Sequence, residues 1–199
     1  MKIKICGLTN PSDIKAVNSA KPNYIGFVFA ESKRKVTLKQ AKELKELLSP
    51  DILSVGVFVD EVIENIIAVI NNGIIDIIQL HGAEDEVYIQ KLKRQTNKPI
   101  IKAISVSSNT AIKKCHPLPD YLLLDHKAGG TGQTFNWGLI SETSKPYFLA
   151  GGLNADNVKQ IKEIKFQPFA VDVSSGVETN GKKDPLKIQQ FVRCVRNDN

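Results

Sequence analysis

Two side chains able to move protons stand where predicted strands end: the thiol of Cys6 and the carboxylate of Asp125. Side chains alternate along a strand, so Lys4 and Cys6 of the run KIKIC share one face. A nearby ammonium favours the thiolate over the thiol, and a thiolate can act as a base or a nucleophile. An unpaired cysteine is more often an inert, buried residue. Local context alone leaves both interpretations of Cys6 open.

Asp125 ends the run YLLLD, in which alternation places Tyr121, Leu123 and Asp125 on one face. Burial at the rim of that face would raise the pKa of the carboxyl group into the range of a general acid. The alternative is an ordinary aspartate in a turn. The stretch that follows favours catalysis, because it is typical of a lid that closes over a substrate. That stretch contains Gly129, Gly130, Thr131 and Gly132.

Two stretches rich in glycine and serine, AGGLNADNV at 150–158 and DVSSGVE at 172–178, each follow a predicted strand. Backbone N–H groups that glycine leaves uncovered, next to the start of a helical turn, form a site for an anion such as phosphate. Either stretch alone is equally consistent with a tight turn. Together, after adjacent strands, they predict a phosphate site built from Gly151, Gly152, Ser174, Ser175 and Gly176.

Three further positions accompany these candidates. Arg34, in the basic loop ESKRK, can form a bidentate pair with a carboxylate or can be a simple surface charge. His81 in QLHG alternates with Gln79 and either lines the pocket or is a hydrogen-bonded structural histidine. Asp172 is the expected partner of Lys4, because a lysine inside a barrel is costly unless it is paired.

The sequence offers no constellation for a bound metal or nucleotide cofactor. Histidines and cysteines at metal-ligand spacing do not occur, and neither GxxxxGK[ST] nor GxGxxG is found. The three cysteines are widely spaced without a CxxC, which argues against a disulfide framework and favours a reducing cytoplasm. The residues alone therefore predict a cofactor-free reaction on a phosphorylated small molecule.

Composition narrows the classes of partner. The net charge of +6 and the pI of about 9.1 are a weak indication of anionic ligands. Nothing resembles a basic and aromatic platform for nucleic acid. A run of about 18 apolar residues and a secretory signal pattern are both missing, so neither a membrane nor an export route is expected. We expect a cytoplasmic protein, monomeric with a dimer as the alternative.

The elements that must position these residues alternate from end to end. Short β-branched runs predict strands at 2–6, 24–29, 53–59, 75–81, 100–106, 121–125, 147–150 and 169–174. Helical patterns begin at 10–13 and cover 37–48, 61–71, 85–95, 136–141, 155–165 and 185–196. The segment 107–117 is only weakly helical, so the crossover after the fifth strand is expected to be short or irregular.

Eight strands, each followed by a crossover, predict an α/β fold in the form of a single compact (β/α)8 TIM barrel. A doubly wound open sheet is the alternative. No linker or low-complexity tract divides the chain, so residues 1–199 are interpreted as one catalytic domain.

The strand ends, taken together, resemble those of the phosphoribosylanthranilate isomerase family of tryptophan biosynthesis. The matching stretches run through the whole chain: KICGLT, SKR, GVFVD, QLHGAE, LLLD followed by GGTGQTFNW, AGGL, and VDVSSGVE with GKKD. KICG and DVSSGVE at opposite ends of one short barrel make a specific combination. Asn136, where the family often has aspartate, and Gln133, where lysine is frequent, depart from the pattern.

The resemblance implies an Amadori rearrangement of an aminoaldose to an aminoketose with no cofactor. It implies that Cys6 is the general base, that Asp125 is the general acid and that Arg34 receives the anthranilate carboxylate. Two alternatives stay open. A related isomerase of histidine biosynthesis has an aspartate where Cys6 stands, and a basic, non-catalytic barrel would bind anions or nucleic acid.

Overall fold

Eight parallel strands close into a barrel in the computed structural model, which describes residues 1–106, 118–126 and 136–196. Each strand pairs with its neighbours in sequence, and β8 returns to pair with β1. This closure confirms the predicted barrel and excludes the open sheet. The strands are Lys2–Cys6 (β1), Tyr24–Val28 (β2), Leu53–Phe58 (β3), Ile77–Leu80 (β4), Ile100–Ser105 (β5), Tyr121–Asp125 (β6), Tyr147–Leu149 (β7) and Ala170–Val173 (β8).

Five α-helices in the described ranges cover the barrel, and their starts follow local capping chemistry. The Asn10 side chain accepts a hydrogen bond from the Asp13 N–H, and the Asp13 side chain accepts one from the Asn10 N–H. Thr37 and Gln40 cap the second helix in the same reciprocal way. The helices are Pro11–Ala20 (α1), Leu38–Glu46 (α2), Ile63–Asn71 (α3), Glu86–Lys93 (α4) and Pro185–Arg196 (α5). None of these helices is long and apolar enough to cross a membrane.

Two segments expected to be helical are 3₁₀ turns instead. At 155–165 the turn spans Val158–Glu163, in which Val158 and Ile161 are buried, and Ile164 is buried directly after it. Their spacing of three residues matches the three residues per turn of a 3₁₀ helix, whereas an α-helix needs a period of 3.6. At 136–141 only Trp137–Leu139 is helical, because the Asn136 side chain accepts from the N–H of Gly138 and closes a short turn. The segment 107–117 lies outside the described residues.

The barrel interior contains a cluster of aromatic rings and a buried pair of opposite charges. Tyr24 and Phe148 meet edge to face near the amino ends of their strands, with ring centroids 5.5 Å apart. Lys4 lies level with Tyr24 on one side and with Asp172 on the other in the strand register. Buried side chains therefore fill the interior of the barrel, as is usual for this fold.

Candidate active site

Cys6 ends β1 with its thiol inside the barrel mouth and only 9% of its surface exposed. The strand register pairs it with Gly26 of β2. A Cβ atom at Gly26 would lie 2.6 Å from the Cys6 Sγ, which is far inside contact distance. The glycine therefore leaves the space that the thiol occupies.

The expected ion pair between Lys4 and Asp172 is present, with Lys4 Nζ 3.0 Å from Asp172 Oδ2. Lys4 is fully buried and Asp172 is 9% exposed. Burial alone would lower the pKa of Lys4, but Asp172 and Cys6 outweigh it and the pKa is raised, so Lys4 is a cation. Asp172 Oδ1 is buried without a partner among the described residues, which leaves an open acceptor below the mouth.

The effect of Lys4 on Cys6 has the sign expected from the sequence but is too small to decide the outcome. Burial raises the pKa of the Cys6 thiol and Asp172 adds to the rise, while Lys4 and Lys183 lower it only in part. The net shift is upward from 9.0, so Cys6 rests as a thiol at neutral pH. Lys4 therefore favours the thiolate, as expected, but does not offset the effect of burial in the unliganded site.

Asp125 ends β6 between the loops that follow β4 and β7. Its Oδ1 accepts a hydrogen bond of 2.7 Å from the His126 N–H, and its Oδ2 lies 3.5 Å from His81 Nε2. His81 in turn contacts Gln79, whose Nε2 is 2.9 Å from His81 Nδ1. A Cβ at Gly151 would lie 2.8 Å from Asp125 Oδ1, so glycine there admits the carboxylate. These contacts place His81 inside the site and add Gln79, which sequence patterning did not single out for a role.

Gly151 and Gly152, one residue after the end of β7, carry positive φ angles of 85° and 64°. Such angles favour glycine, and a glycine loop at a strand end can offer its backbone N–H groups to an anion. Neither N–H is hydrogen-bonded to another described residue. In the next loop a Cβ at Gly176 would lie 1.8 Å from the Leu153 carbonyl oxygen, so only glycine allows the two loops to touch.

Ser174 and Ser175 belong to the second predicted anion-binding stretch, but the Ser174 hydroxyl is already engaged. It donates to the Cys6 carbonyl at 3.0 Å and accepts from Lys183 Nζ at 3.3 Å. Any contribution of Ser174 to an anion therefore comes from its main chain. Ser175 begins a 3₁₀ turn, Ser175–Val177, one residue after the end of β8.

Arg34 lies beside Cys6, held by a carboxylate that the sequence did not single out. Its Nε and Nη2 contact Glu178 Oε1 and Oε2 at 2.7 and 2.8 Å. Lys183 Nζ contacts the same Oε1 at 2.5 Å. Glu178 and Lys183 belong to the stretches GVE and GKKD, so their charges near a strand end were the available signal. They lie in a small hairpin, Glu178–Thr179 (β9) and Lys182–Lys183 (β10).

The remaining candidates are Gly130, Thr131 and Gly132, which with Gln133 lie outside the described residues. Within the described ranges no group of three His, Cys, Asp or Glu side chains is placed to hold a metal ion. What the mouth brings together is a thiol, a carboxylate, a cationic cluster and two glycine-containing loops.

Comparison with known proteins gives these features a common context. The family model described as N-(5'phosphoribosyl)anthranilate (PRA) isomerase matches residues 3–194. The N-(5'-phosphoribosyl)anthranilate isomerase of Endomicrobium trichonymphae is 46% identical, over 98% of each chain. The crystal structure of the Thermotoga maritima phosphoribosyl anthranilate isomerase superposes with a TM-score of 0.88 at 35% identity, covering 99% of each chain.

A further solved isomerase structure contains a ligand. It is a phosphoribosyl anthranilate isomerase in complex with reduced 1-(o-carboxyphenylamino)-1-deoxyribulose 5-phosphate, with a TM-score of 0.85, 33% identity and coverage of 99% of each chain. Sequence and fold thus agree along the whole length of the barrel. The chain belongs to the N-(5'-phosphoribosyl)anthranilate isomerase family.

Proposed function

We propose that the chain converts N-(5'-phosphoribosyl)anthranilate to 1-(2-carboxyphenylamino)-1-deoxyribulose 5-phosphate in tryptophan biosynthesis, with Cys6 as general base and Asp125 as general acid. The supporting observation is that both side chains stand at the ends of their strands and face the barrel interior near Asp172. Asp172 is close enough to each of them to interact electrostatically. Family membership supplies the reaction class, an aldose–ketose isomerisation. The presence of a thiol at position 6 disfavours the histidine-pathway alternative.

The acid step comes first. Asp125 donates its proton to the ribose ring oxygen while the anilino nitrogen lone pair breaks the bond between C1′ and that oxygen. The product of this step is an open chain with a protonated imine. His81, 3.5 Å from the carboxylate, helps to orient Asp125 for this transfer.

The base step follows. Cys6 removes the proton from C2′, and the electron pair moves through C1′ to the imine nitrogen, giving an enolamine that tautomerises to the ketone. The imine accepts these electrons, so the scheme has no need of a metal or cofactor. Its positive charge also favours ionisation of a thiol whose pKa burial has raised.

Both anionic groups of the substrate are proposed to bind at the mouth of the barrel. The backbone of Gly151, Gly152, Ser174, Ser175 and Gly176 is proposed to hold the phosphate, and Arg34 the aryl carboxylate. Lys4 and Asp172 support the thiol, and the stretch containing Gly130, Thr131 and Gly132 is proposed to cover the bound substrate. We further propose that residues 1–199 form one domain that acts as a monomer in the cytoplasm, without nucleic-acid or membrane partners.

The test follows the loss of fluorescence as freshly made phosphoribosylanthranilate is consumed. We expect turnover by the wild type, and a loss of kcat of at least about 100-fold in Cys6→Ser and in Asp125→Asn. Cys194→Ser, which changes the half-buried free cysteine of α5, should retain wild-type kcat. No turnover by the wild type refutes the function, while near wild-type kcat in either site variant refutes that residue's role.

A further inference from the structure

Glu178 holds the guanidinium of Arg34 along one side only. The two contacts, Nε to Oε1 and Nη2 to Oε2, form a bidentate pair at 2.7 and 2.8 Å. The Arg34 side chain is 25% exposed, whereas that of Glu178 is 8% exposed. The carboxylate is therefore the buried anchor, and the guanidinium is the part that reaches the mouth.

The stem of Arg34 is fixed as well as its head. A Cβ at Gly7 would lie 2.4 Å from Arg34 Cδ and 3.2 Å from Ser174 Oγ, so the stem passes directly over the chain next to Cys6. Gly7 also has a φ of 81°, which favours glycine. With stem and head both held, the guanidinium is limited to one orientation.

That orientation leaves one edge of the guanidinium open. Arginine has five N–H donors in a planar fork, and Glu178 takes the Nε–H and one N–H of Nη2. The outer edge, formed by Nη1 and the second N–H of Nη2, remains, and no described residue accepts a hydrogen bond from Nη1. An outer edge of this kind fits a carboxylate with two parallel hydrogen bonds.

Lys183 keeps this cluster attractive to an anion. Alone, Glu178 would neutralise Arg34. Lys183 Nζ lies 2.5 Å from Glu178 Oε1, and its side chain is 2% exposed. Two cations sharing one anion leave a net positive charge beside the open edge of Arg34.

Resting on the proposed function, we propose that Glu178 is a positioning residue that presents the outer edge of Arg34 to the aryl carboxylate and so selects carboxylated aryl amines. Arg34 makes the contact, and Glu178 sets its direction without touching the substrate. Loss of Glu178 should then weaken recognition of the carboxylate and leave the proton transfers unchanged.

The experiment compares two substrates that differ only in this carboxylate: phosphoribosylanthranilate and the phosphoribosyl adduct of aniline. For Glu178→Gln we expect KM for the carboxylated substrate to rise about 10-fold with kcat nearly unchanged, the loss of roughly one charge-assisted hydrogen bond. The kcat/KM for the aniline substrate should stay within about twofold. Glu31→Gln removes a charge from the same loop as Arg34, at an exposed ion pair with Lys35, and should change neither value.

Two further variants separate positioning from folding. Glu178→Asp keeps the charge but shortens its reach, so it should fall between wild type and Glu178→Gln, with thermal melts reporting the fold. In an Arg34→Ala background, Glu178→Gln should have no further effect on the ratio of the two kcat/KM values. A Glu178→Gln variant that loses kcat/KM equally for both substrates would overturn the proposal.

Direct binding of anthranilate, followed by its fluorescence, distinguishes this claim from the proposed function because it needs no turnover. We expect Glu178→Gln to lose about 10-fold in anthranilate affinity relative to Glu31→Gln. Unchanged affinity would refute the role of Glu178 even if the wild type is an active isomerase. Weakened affinity would support it even if the turnover assay fails.

Discussion

Replacement of Gly26 by alanine is the most direct structural test of Cys6. The new Cβ would lie 2.6 Å from the Cys6 Sγ and 3.2 Å from its Cα. Ordinary contact for such atoms is about 3.5 Å or more, so the thiol must shift by about 1 Å. Rotation of the side chain alone does not relieve the contact with Cα. The two strands must therefore also separate slightly.

The expected magnitudes differ for stability and for catalysis. Overpacking of this kind costs about 1–3 kcal/mol in the free energy of unfolding. A displacement of about 1 Å at a reacting atom costs about 100-fold in rate. Gly56→Ala is the matched control, because its Cβ would lie 2.8 Å from Phe58 and 2.9 Å from Ile75 in the apolar core between strands and helices.

The assay measures kcat by loss of substrate fluorescence and unfolding by urea titration for both alanine variants. We expect similar losses of unfolding free energy, with kcat reduced about 100-fold in Gly26→Ala and within about threefold of wild type in Gly56→Ala. Gly26→Ala with near wild-type kcat would refute the reasoning, because a base with so little room tolerates no such shift.

Three other predictions concern charge. Asp172→Asn leaves the buried Lys4 cation unpaired and should lower the free energy of unfolding in urea by about 3–5 kcal/mol. The double variant Lys4→Met with Asp172→Leu removes both charges and should recover most of that loss. Equal losses in the single and the double variant would contradict this prediction. Because burial raises the pKa of Cys6, kcat/KM should keep rising with pH through the alkaline range, and a plateau near neutral pH would count against the assignment. Glu178 has its pKa lowered from 4.5 to about 2, so its stabilisation is complete above pH 4.5 and is lost as pH falls toward 2. Urea midpoints should therefore fall more steeply over this range in wild type than in Glu178→Gln, and parallel curves would refute it.

Alternation was sufficient to predict which strand residues face the barrel interior. Lys4, Cys6, Asp125 and Asp172 all lie on the inner face, because a two-residue period fixes orientation once the strand and the apolar side are known. Whether a segment forms an α-helix or a 3₁₀ helix was harder to predict from the sequence. The apolar residues of 158–164 suit a period of three nearly as well as 3.6 over so short a stretch, and packing decided between them.

The charges of the cluster beside Cys6 were visible in the sequence, but their pairing was not. Arg34 and Glu178 are separated by 144 positions and meet only because β1 brings the loops of β2 and β8 together. The direction of the net pKa shift of Cys6 could not be predicted from the sequence either. Lys4 is close to Cys6 in the sequence, but the burial that outweighs Lys4 depends on how the folded chain packs around the thiol.

The charge balance at the mouth implies an order for the chemistry. A resting thiolate at Cys6 would be buried and near the Asp172 carboxylate, and both factors disfavour it. In the proposed mechanism the protonated imine brings a positive charge to C1′, next to the carbon from which Cys6 would take its proton, and that charge would exist only after Asp125 had opened the ring. We infer that ring opening activates the base, so the acid must act first. The pH profile of kcat reports the substrate-bound enzyme, and that of kcat/KM reports the free enzyme. The rising limb of the kcat profile should therefore lie at lower pH than the rising limb of the kcat/KM profile. Coincident limbs would show that the substrate does not ionise the thiol.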